Sequence, residues 1–180
     1  NINAAKNACL AIGMNEQDFY TAISTFKGAS NRLELMEKNE ECAVYKDFAH
    51  SPSKLKATID AVREQFADRK LIACMELHTF SSLNKQFLSE YKGCMDAADT
   101  AIVFYNPEVI THKKLPPFDI PMIIDAFQRK DLLVLNNSKE LESKLLSFDI
   151  RNSVFLLMSS GNFNGINIKD LSKKIVHLRP

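Results

Sequence analysis

The chain predicts an α/β fold: a mainly parallel β-sheet with helices packed on both of its faces. Three observations carry this expectation. Two continuous apolar runs, Leu71–Glu76 (L-I-A-C-M-E) and Val154–Met158 (V-F-L-L-M), have the length and composition of strands buried on both sides, as parallel strands are. From Asp47 onward, strand-like and helix-like segments alternate, the pattern of βαβ units rather than of a bundle or an all-β fold. Of the 180 residues 46% are hydrophobic, and only five glycines and six prolines are present. That is enough apolar material for an ordinary core.

Taken in order, Ile2, Ala5, Cys9 and Ile12 recur at helical spacing, and Gly13 ends that helix. Asn15 caps a second helix with Asp18 in its first turn. Phe19, Ala22, Ile23 and Phe26 form its apolar stripe, and Gly28 ends it. Two helices do not make a domain, so this pair is expected to pack on something else. The chain starts within a helix and without a Met, as expected of a piece of a longer protein.

Leu33–Glu37 and Cys42–Asp47 read as strands, and the charged turn Asn39–Glu41 between them makes a hairpin. A hairpin brings its ends together, so Arg32 and Glu34 should lie near Asp47 and His50. A cation and a carboxylate so placed fit a polar-ligand site or a surface ion pair worth under ~1 kcal/mol. Ser51 reads as an N-cap with Pro52 at the first helical position. That helix runs to about Phe66, with Leu55, Ile59, Val62 and Phe66 inward. Its positive end suits a phosphate, among other anions. After Leu71–Glu76, a helix is expected at about Leu83–Tyr91 and a strand at Thr100–Tyr105. Asn106–Pro121 reads as irregular, with His112, Lys113 and Lys114 as a solvated basic cluster. A helix (Ile120–Phe127), a strand (Leu132–Leu135), a helix (Lys139–Leu146), the second apolar strand and an amphipathic helix (Ile168–Leu178) complete the chain.

In open α/β sheets, ligands gather at the carboxyl ends of the strands. This rim holds Glu76, His78, Thr79 and Ser81 after one strand, and Ser159, Ser160, Gly161 and Asn162 after another. Glycine and small polar residues after a strand let backbone N–H groups approach an anion. His78 fits a rim site and a helix-capping loop equally well.

Composition excludes several classes. The net charge is +1, and no basic stripe suggests nucleic acid. No apolar run is long enough to span a membrane, and no charged leader precedes one. Cys9, Cys42, Cys74 and Cys94 lack the spacing of a zinc site or a disulfide framework. A reducing, cytoplasmic setting is expected. Neither G-x-x-x-x-G-K-[ST] nor G-x-G-x-x-G is present.

The run G-A-S-N-R-L-E (Gly28–Glu34) and, fifteen residues on from Arg32, D-F-A-H-S-P (Asp47–Pro52) carry a resemblance. They resemble the G-x-x-x-R-x-E and D-[YF]-[AG]-H-x-P motifs of the Mur ligase family, the ATP-dependent amide-forming ligases of bacterial peptidoglycan synthesis. Ser159–Gly165 matches the family's S-x-G-x-[FY]-x-G wording. D-F-A-H looks most like the murein peptide ligase branch, which joins L-alanyl-γ-D-glutamyl-meso-diaminopimelate to UDP-N-acetylmuramate. Ser51 stands where the family usually has a second His.

The resemblance covers nearly the whole chain. It implies a Rossmann-like C-terminal domain at 32–180, preceded by the helical tail of a central ATPase domain at 1–31. It implies ATP with Asp47 on the ribose, Arg32 on ribose or phosphate at the domain hinge, His50 beside the nucleotide and Asn1 against adenine. Glu76, His78, Thr79, Ser81, Ser159, Ser160, Gly161 and Asn162 would line the site for the incoming peptide or amino acid. The phosphate-binding loop, the magnesium ligands and the catalytic groups would lie in the central domain, so this chain alone is expected to be inactive. Two further readings remain. One is another branch, either the UDP-N-acetylmuramate–L-alanine ligase or a folylpolyglutamate synthase. The other is a stand-alone domain that binds a small molecule or a partner.

Overall fold

A computed structural model describes residues 2–26 and 28–177. The chain leads with α1 (Ile2–Ala11) and α2 (Glu16–Ile23). Asn15 caps α2 by accepting from the Asp18 N–H at 2.8 Å. Phe19 is buried, but Ile12 is 84% exposed and Phe26 63% exposed. The expected stripe through Ala22, Ile23 and Phe26 is therefore largely open.

The hairpin forms as expected. β1 (Glu34–Lys38) and β2 (Cys42–Asp47) pair antiparallel, with Glu34 opposite Lys46. Asn39 makes the turn. Its Oδ1 accepts from the N–H groups of Glu41 and Cys42, and its Nδ2 donates to the Val176 carbonyl at 2.8 Å.

The remaining strands, β3 (Lys70–Leu77), β4 (Thr100–Tyr105), β5 (Leu133–Leu135) and β6 (Ser153–Met158), join in parallel. The sheet order is β1-β2-β6-β3-β4-β5. The helices that follow the hairpin are α3 (Pro52–Gln65), α4 (Lys85–Leu88), α5 (Pro107–His112), α6 (Ile120–Phe127), α7 (Ser138–Leu146) and α8 (Ile168–Val176). On one face, Leu55, Ile59 and Val62 of α3 and Ile123 and Phe127 of α6 share a core with Ala73, Met75, Val103 and Leu156. On the other, Leu141 and Leu145 of α7 and Leu171 and Ile175 of α8 share one with Val44, Cys74, Phe104 and Phe155. Successive strand residues point to opposite faces. Both faces are covered, so the central strands are apolar throughout Leu71–Met75, Ala101–Tyr105 and Val154–Met158.

Three expectations are corrected. The helix expected at Leu83–Tyr91 is broken: Asn84 caps the four-residue α4, and a 3-10 turn, Ser89–Tyr91, follows. The segment read as irregular contains α5, where Asn106 accepts from the Glu108 N–H and Pro107 opens the helix. The last helix ends at Val176, and Leu178 lies outside the described residues.

Arg63 ties α3 to the sheet. Its guanidinium donates to the carbonyls of Ala97 (3.0 Å) and Arg69 (2.9 Å) and pairs with Asp99. The Asp99 carboxylate also accepts from the Leu71 N–H at 2.7 Å. Burial works to raise the Asp99 pKa, but the Leu71 N–H and the Arg63 charge together hold it below the usual carboxylate range. A depressed folded-state pKa contributes stability that is full above the unfolded value, about 3.9. It is lost as pH falls through the folded value. The Asp99 side chain is 53% exposed, so screening keeps its contribution under ~1 kcal/mol. Melts of Asp99→Asn should show a small loss at pH 7 that shrinks below pH ~4. A loss of equal size at every pH would remove the ionic part of this account.

Candidate functional site

The parallel strands end together. Asp47, Met158 and Met75 lie in register, and Glu76 and Leu77 lie opposite Phe104 and Tyr105. The rim therefore runs from the end of β2, past β6 and β3, to β4 and β5.

At the β2 end, Asp47 is 6% exposed and holds two stretches of backbone. Its Oδ2 accepts from the Leu33 N–H at 2.7 Å, and its Oδ1 from the Ala49 N–H at 2.6 Å. Glu34 accepts from the Asn31 N–H at 2.8 Å, and the Phe48 N–H donates to the Asn31 carbonyl at 2.9 Å. Asn31 and Leu33 have φ values of 58° and 43°. That region strains a leucine, and the two carboxylates hold it. Arg32 lies between these residues and is exposed. It forms no ion pair with Asp47 among the described residues. The expected closeness of Arg32 and Asp47 is thus realised through the Leu33 backbone, and the surface ion pair does not form. Asp47 keeps unused lone pairs on both oxygens.

His50 follows two residues later. Its Nδ1 donates to the Phe48 carbonyl at 2.8 Å, which leaves Nε2 for a ligand. Its ring stands edge-on to Phe48 at 5.1 Å. Its own carbonyl accepts from the Tyr91 hydroxyl. Burial raises the Tyr91 pKa well above its ordinary value, so that hydroxyl stays a donor. Ser51 occupies the N-cap of α3 without a side-chain bond, and Pro52 opens the helix. Sequence reasoning missed Phe48 and Tyr91. Phe48 lies inside the D-F-A-H run, which gives it no role of its own, and Tyr91 reaches His50 only through the tertiary fold.

At β3 and β6 the polar residues form one cluster. Glu76 is 1% exposed. Its Oε2 accepts from the Ser159 hydroxyl and from the Phe163 N–H at 2.9 Å, and its Oε1 lies 3.5 Å from His78 Nδ1. That Nδ1 is buried without a hydrogen-bond partner among the described residues, while the His78 side chain as a whole is 35% exposed. Gly161 closes over this pair. A Cβ there would lie 2.8 Å from both Glu76 Oε2 and His78 Nδ1, so only glycine fits. The Gly161 N–H donates to Ser159 Oγ at 2.7 Å. Phe163, Asn164 and Gly165 then turn with φ of 51°, 56° and 88°, and Phe163 packs into the core beside Phe104.

Glu76 and Ser159, expected to line the site, are buried beneath it as a brace for the glycine loop. Ser160 is half-buried, and its Oγ lacks a partner among the described residues. Asn162 is exposed and turns its Oδ1 to the Gly165 N–H at 3.0 Å. Thr79 bonds to the hydroxyls of Ser81 and Ser82 and so shapes the loop after β3. Asn1 lies outside the described residues. A cavity of about 300 Å³ lies between Lys46, the glycine loop and Lys169. A larger one, about 680 Å³, opens at the ends of β4 and β5, and Lys114 of the basic cluster lines it.

In mainly parallel sheets of this kind, ligands gather along the rim where the polar loops converge. The chain belongs to the Mur ligase family: the profile of the Mur ligase glutamate ligase domain matches residues 31–161. It is similar to the UDP-N-acetylmuramate–L-alanine ligase of Lactococcus lactis subsp. cremoris (strain MG1363). The identity is 28% over 163 residues, 89% of this chain and 34% of that protein. The same ligase of Cutibacterium acnes is 34% identical over 104 residues, 56% of this chain and 22% of that one.

Two solved structures share the fold. The UDP-N-acetylmuramate–alanine ligase of Thermotoga maritima superposes with a TM-score of 0.73 at 18% identity, over 97% of this chain and 36% of that chain. The murein peptide ligase of Psychrobacter arcticus does so with 0.67 at 22% identity, over 99% and 36%. The chain spans about a third of the length of these relatives.

Proposed function

We propose that this chain is the C-terminal part of an ATP-dependent ligase that joins a peptide to UDP-N-acetylmuramate. Residues 32–180 form the domain, and residues 1–31 form the tail of a central domain. The observation that carries this reading is the braced segment around Arg32. Two carboxylates, Asp47 and Glu34, fix the backbone on either side of one exposed cation, at the strand end where the family motif lies.

Amide formation from a carboxylate at neutral pH requires activation. ATP supplies it by transferring its γ-phosphoryl group to the carboxylate. The amine then attacks the acyl phosphate carbon, the C–N bond forms, and phosphate leaves. Arg32 would offset charge on ribose or phosphate, Asp47 would accept from a ribose hydroxyl, and His50 Nε2 would meet the nucleotide. The rim around His78, Thr79, Ser81, Ser160, Gly161 and Asn162 would receive the amine substrate. The described residues hold no group of three or more His, Cys, Asp or Glu gathered for a metal. The magnesium ligands would lie in the central domain. Domain closure would bring these groups onto ATP held elsewhere. The thiols among the described residues are unpaired, which suits a cytoplasmic setting. No helix among these residues is long and apolar enough to cross a membrane.

L-Alanine as the amine is the second reading, favoured by the names of the relatives matched above. Phosphate release by the full-length ligase, with UDP-N-acetylmuramate and either the tripeptide or L-alanine, tests both. Release with the tripeptide supports the reading, and release with alanine alone replaces it with the second. No release with either leaves a stand-alone binding domain. In the active case, Arg32→Ala should lower kcat/KM about 100-fold. It should shift stability by no more than ~0.5 kcal/mol, as expected of an exposed side chain. Equal losses of activity and thermal stability would make Arg32 structural.

A further inference from the structure

The end of the sheet opposite the rim carries a recess of its own. Cys42, Ser153 and Lys70 lie in register there, at the starts of β2, β6 and β3. A cavity of about 560 Å³ opens beside them, between the hairpin and the end of α3, and its lining includes Lys38, Glu40, Ala43, Tyr45, Phe66 and Arg69. Lys38 lies opposite Ala43 across the hairpin, and the small alanine leaves room beside it. The Tyr45 and Phe66 rings meet at 5.7 Å with their planes 51° apart. The Arg69 guanidinium lies 5.6 Å from the Phe66 ring. It donates to the Glu40 carbonyl at 3.0 Å, which leaves its other N–H groups for a ligand. Neither Lys38 nor Arg69 forms an ion pair among the described residues, and the one lining carboxylate, Glu40, pairs with neither. Burial raises the Tyr45 pKa against the opposing charge of Arg69, so its hydroxyl stays a donor.

We propose that this cavity binds a nucleoside monophosphate, with the phosphate between Lys38 and Arg69 and the base against Tyr45 and Phe66. The proposal does not depend on the ligase reading. Ala43 lies four residues back along β2 from Asp47, roughly 13 Å, so the cavity is separate from the rim. Two cations against one carboxylate leave the lining positive. The arginine fork matches phosphate oxygens, and the lysine adds a point charge. A phosphate near its second ionisation carries enough charge for both cations, whereas a carboxylate would leave one of them unmatched. Aromatic rings hold a base by its flat face, whichever base it is. A bare phosphate would leave those rings uncovered. The volume lies within the range of small-molecule sites, about 300–1,000 Å³, and has room for a ring and a phosphate together.

The test titrates the 180-residue chain with AMP and, separately, with adenosine and with inorganic phosphate, while backbone amide shifts are followed by NMR. AMP should move the amides of Lys38, Glu40, Phe66 and Arg69. Adenosine and inorganic phosphate should each bind about ten-fold more weakly or worse, because each keeps only part of the contacts. Lys38→Glu should weaken AMP binding about ten-fold, the loss expected for one charge-assisted hydrogen bond. Lys38 is exposed and unpaired among the described residues, so this change should leave the fold intact. Lys38→Arg should bind AMP as the unsubstituted chain does. The proposal is overturned if AMP leaves the four amides unmoved, or if Lys38→Glu binds it as tightly as the unsubstituted chain. It is overturned as well if adenosine or inorganic phosphate binds as tightly as AMP, since the site would then read only a ring or only an anion. Shifts confined to Leu33, Ala49 and His50 also overturn it, because those residues report the candidate ATP site at the other end of β2.

Discussion

Glu76→Ala is expected to lower the midpoint of thermal unfolding by about 5–15 °C. The substitution leaves the Ser159 hydroxyl and the Phe163 N–H without their shared acceptor, in a place water does not reach. Each orphaned donor costs about 1–3 kcal/mol. For a chain of this size, each kcal/mol moves the midpoint by roughly 2–4 °C. Glu76→Gln separates hydrogen bonding from charge. Both bonds fall on one oxygen, so the glutamine carbonyl can accept both. Its NH₂ group would then face His78 Nδ1, whose lone pair could accept from it. Glutamine should therefore retain most of the stability. A glutamine variant as unstable as the alanine variant would show that the ionised carboxylate itself holds the loop.

Asp47→Ala should raise KM for ATP in the full-length ligase at least ten-fold, with kcat less affected. Loss of a charge-assisted hydrogen bond to the ribose accounts for one factor of about ten. Release of Leu33 from its left-handed conformation accounts for more, because that conformation aims Arg32. The same change removes two buried hydrogen bonds to backbone N–H groups, so the fold should weaken as well. Kinetics measured well below the variant's melting midpoint keep the two effects apart. If KM for ATP stays at its original value there, Asp47 serves the hairpin and not the nucleotide.

How much of this was legible from the residues alone depended on the range of the interaction. β4 begins and ends where its apolar run does, and α3 begins where Ser51 and Pro52 place it, because those signals are local. Asn106–Pro107 carries the same cap-and-proline signal as Ser51–Pro52, yet it was read as a loop because several prolines follow it. At the interruption Tyr91 stacks on Phe127 and donates to the His50 carbonyl, contacts that no periodicity in that segment records. The placement of Glu76 is the plainest case. A carboxylate at a strand end reads as a ligand group, and only the arrival of a loop 83 residues later turns it into an internal acceptor. The larger cavity was invisible for the same reason, since its walls come from β4, α5, the proline-bearing loop and Asn136.

The sheet order also sets how the molecule can be made. Among the described residues β6 is the last strand in chain order, yet it lies between β2 and β3 and joins the hairpin to the other strands. Until Ser153–Met158 has left the ribosome, the nascent chain consists of two unconnected half-sheets, each with a long apolar edge open to pairing. Closure depends on contacts between residues more than a hundred positions apart, such as Val44 with Phe155, which makes folding slow and late. Until then the open strand edges favour aggregation.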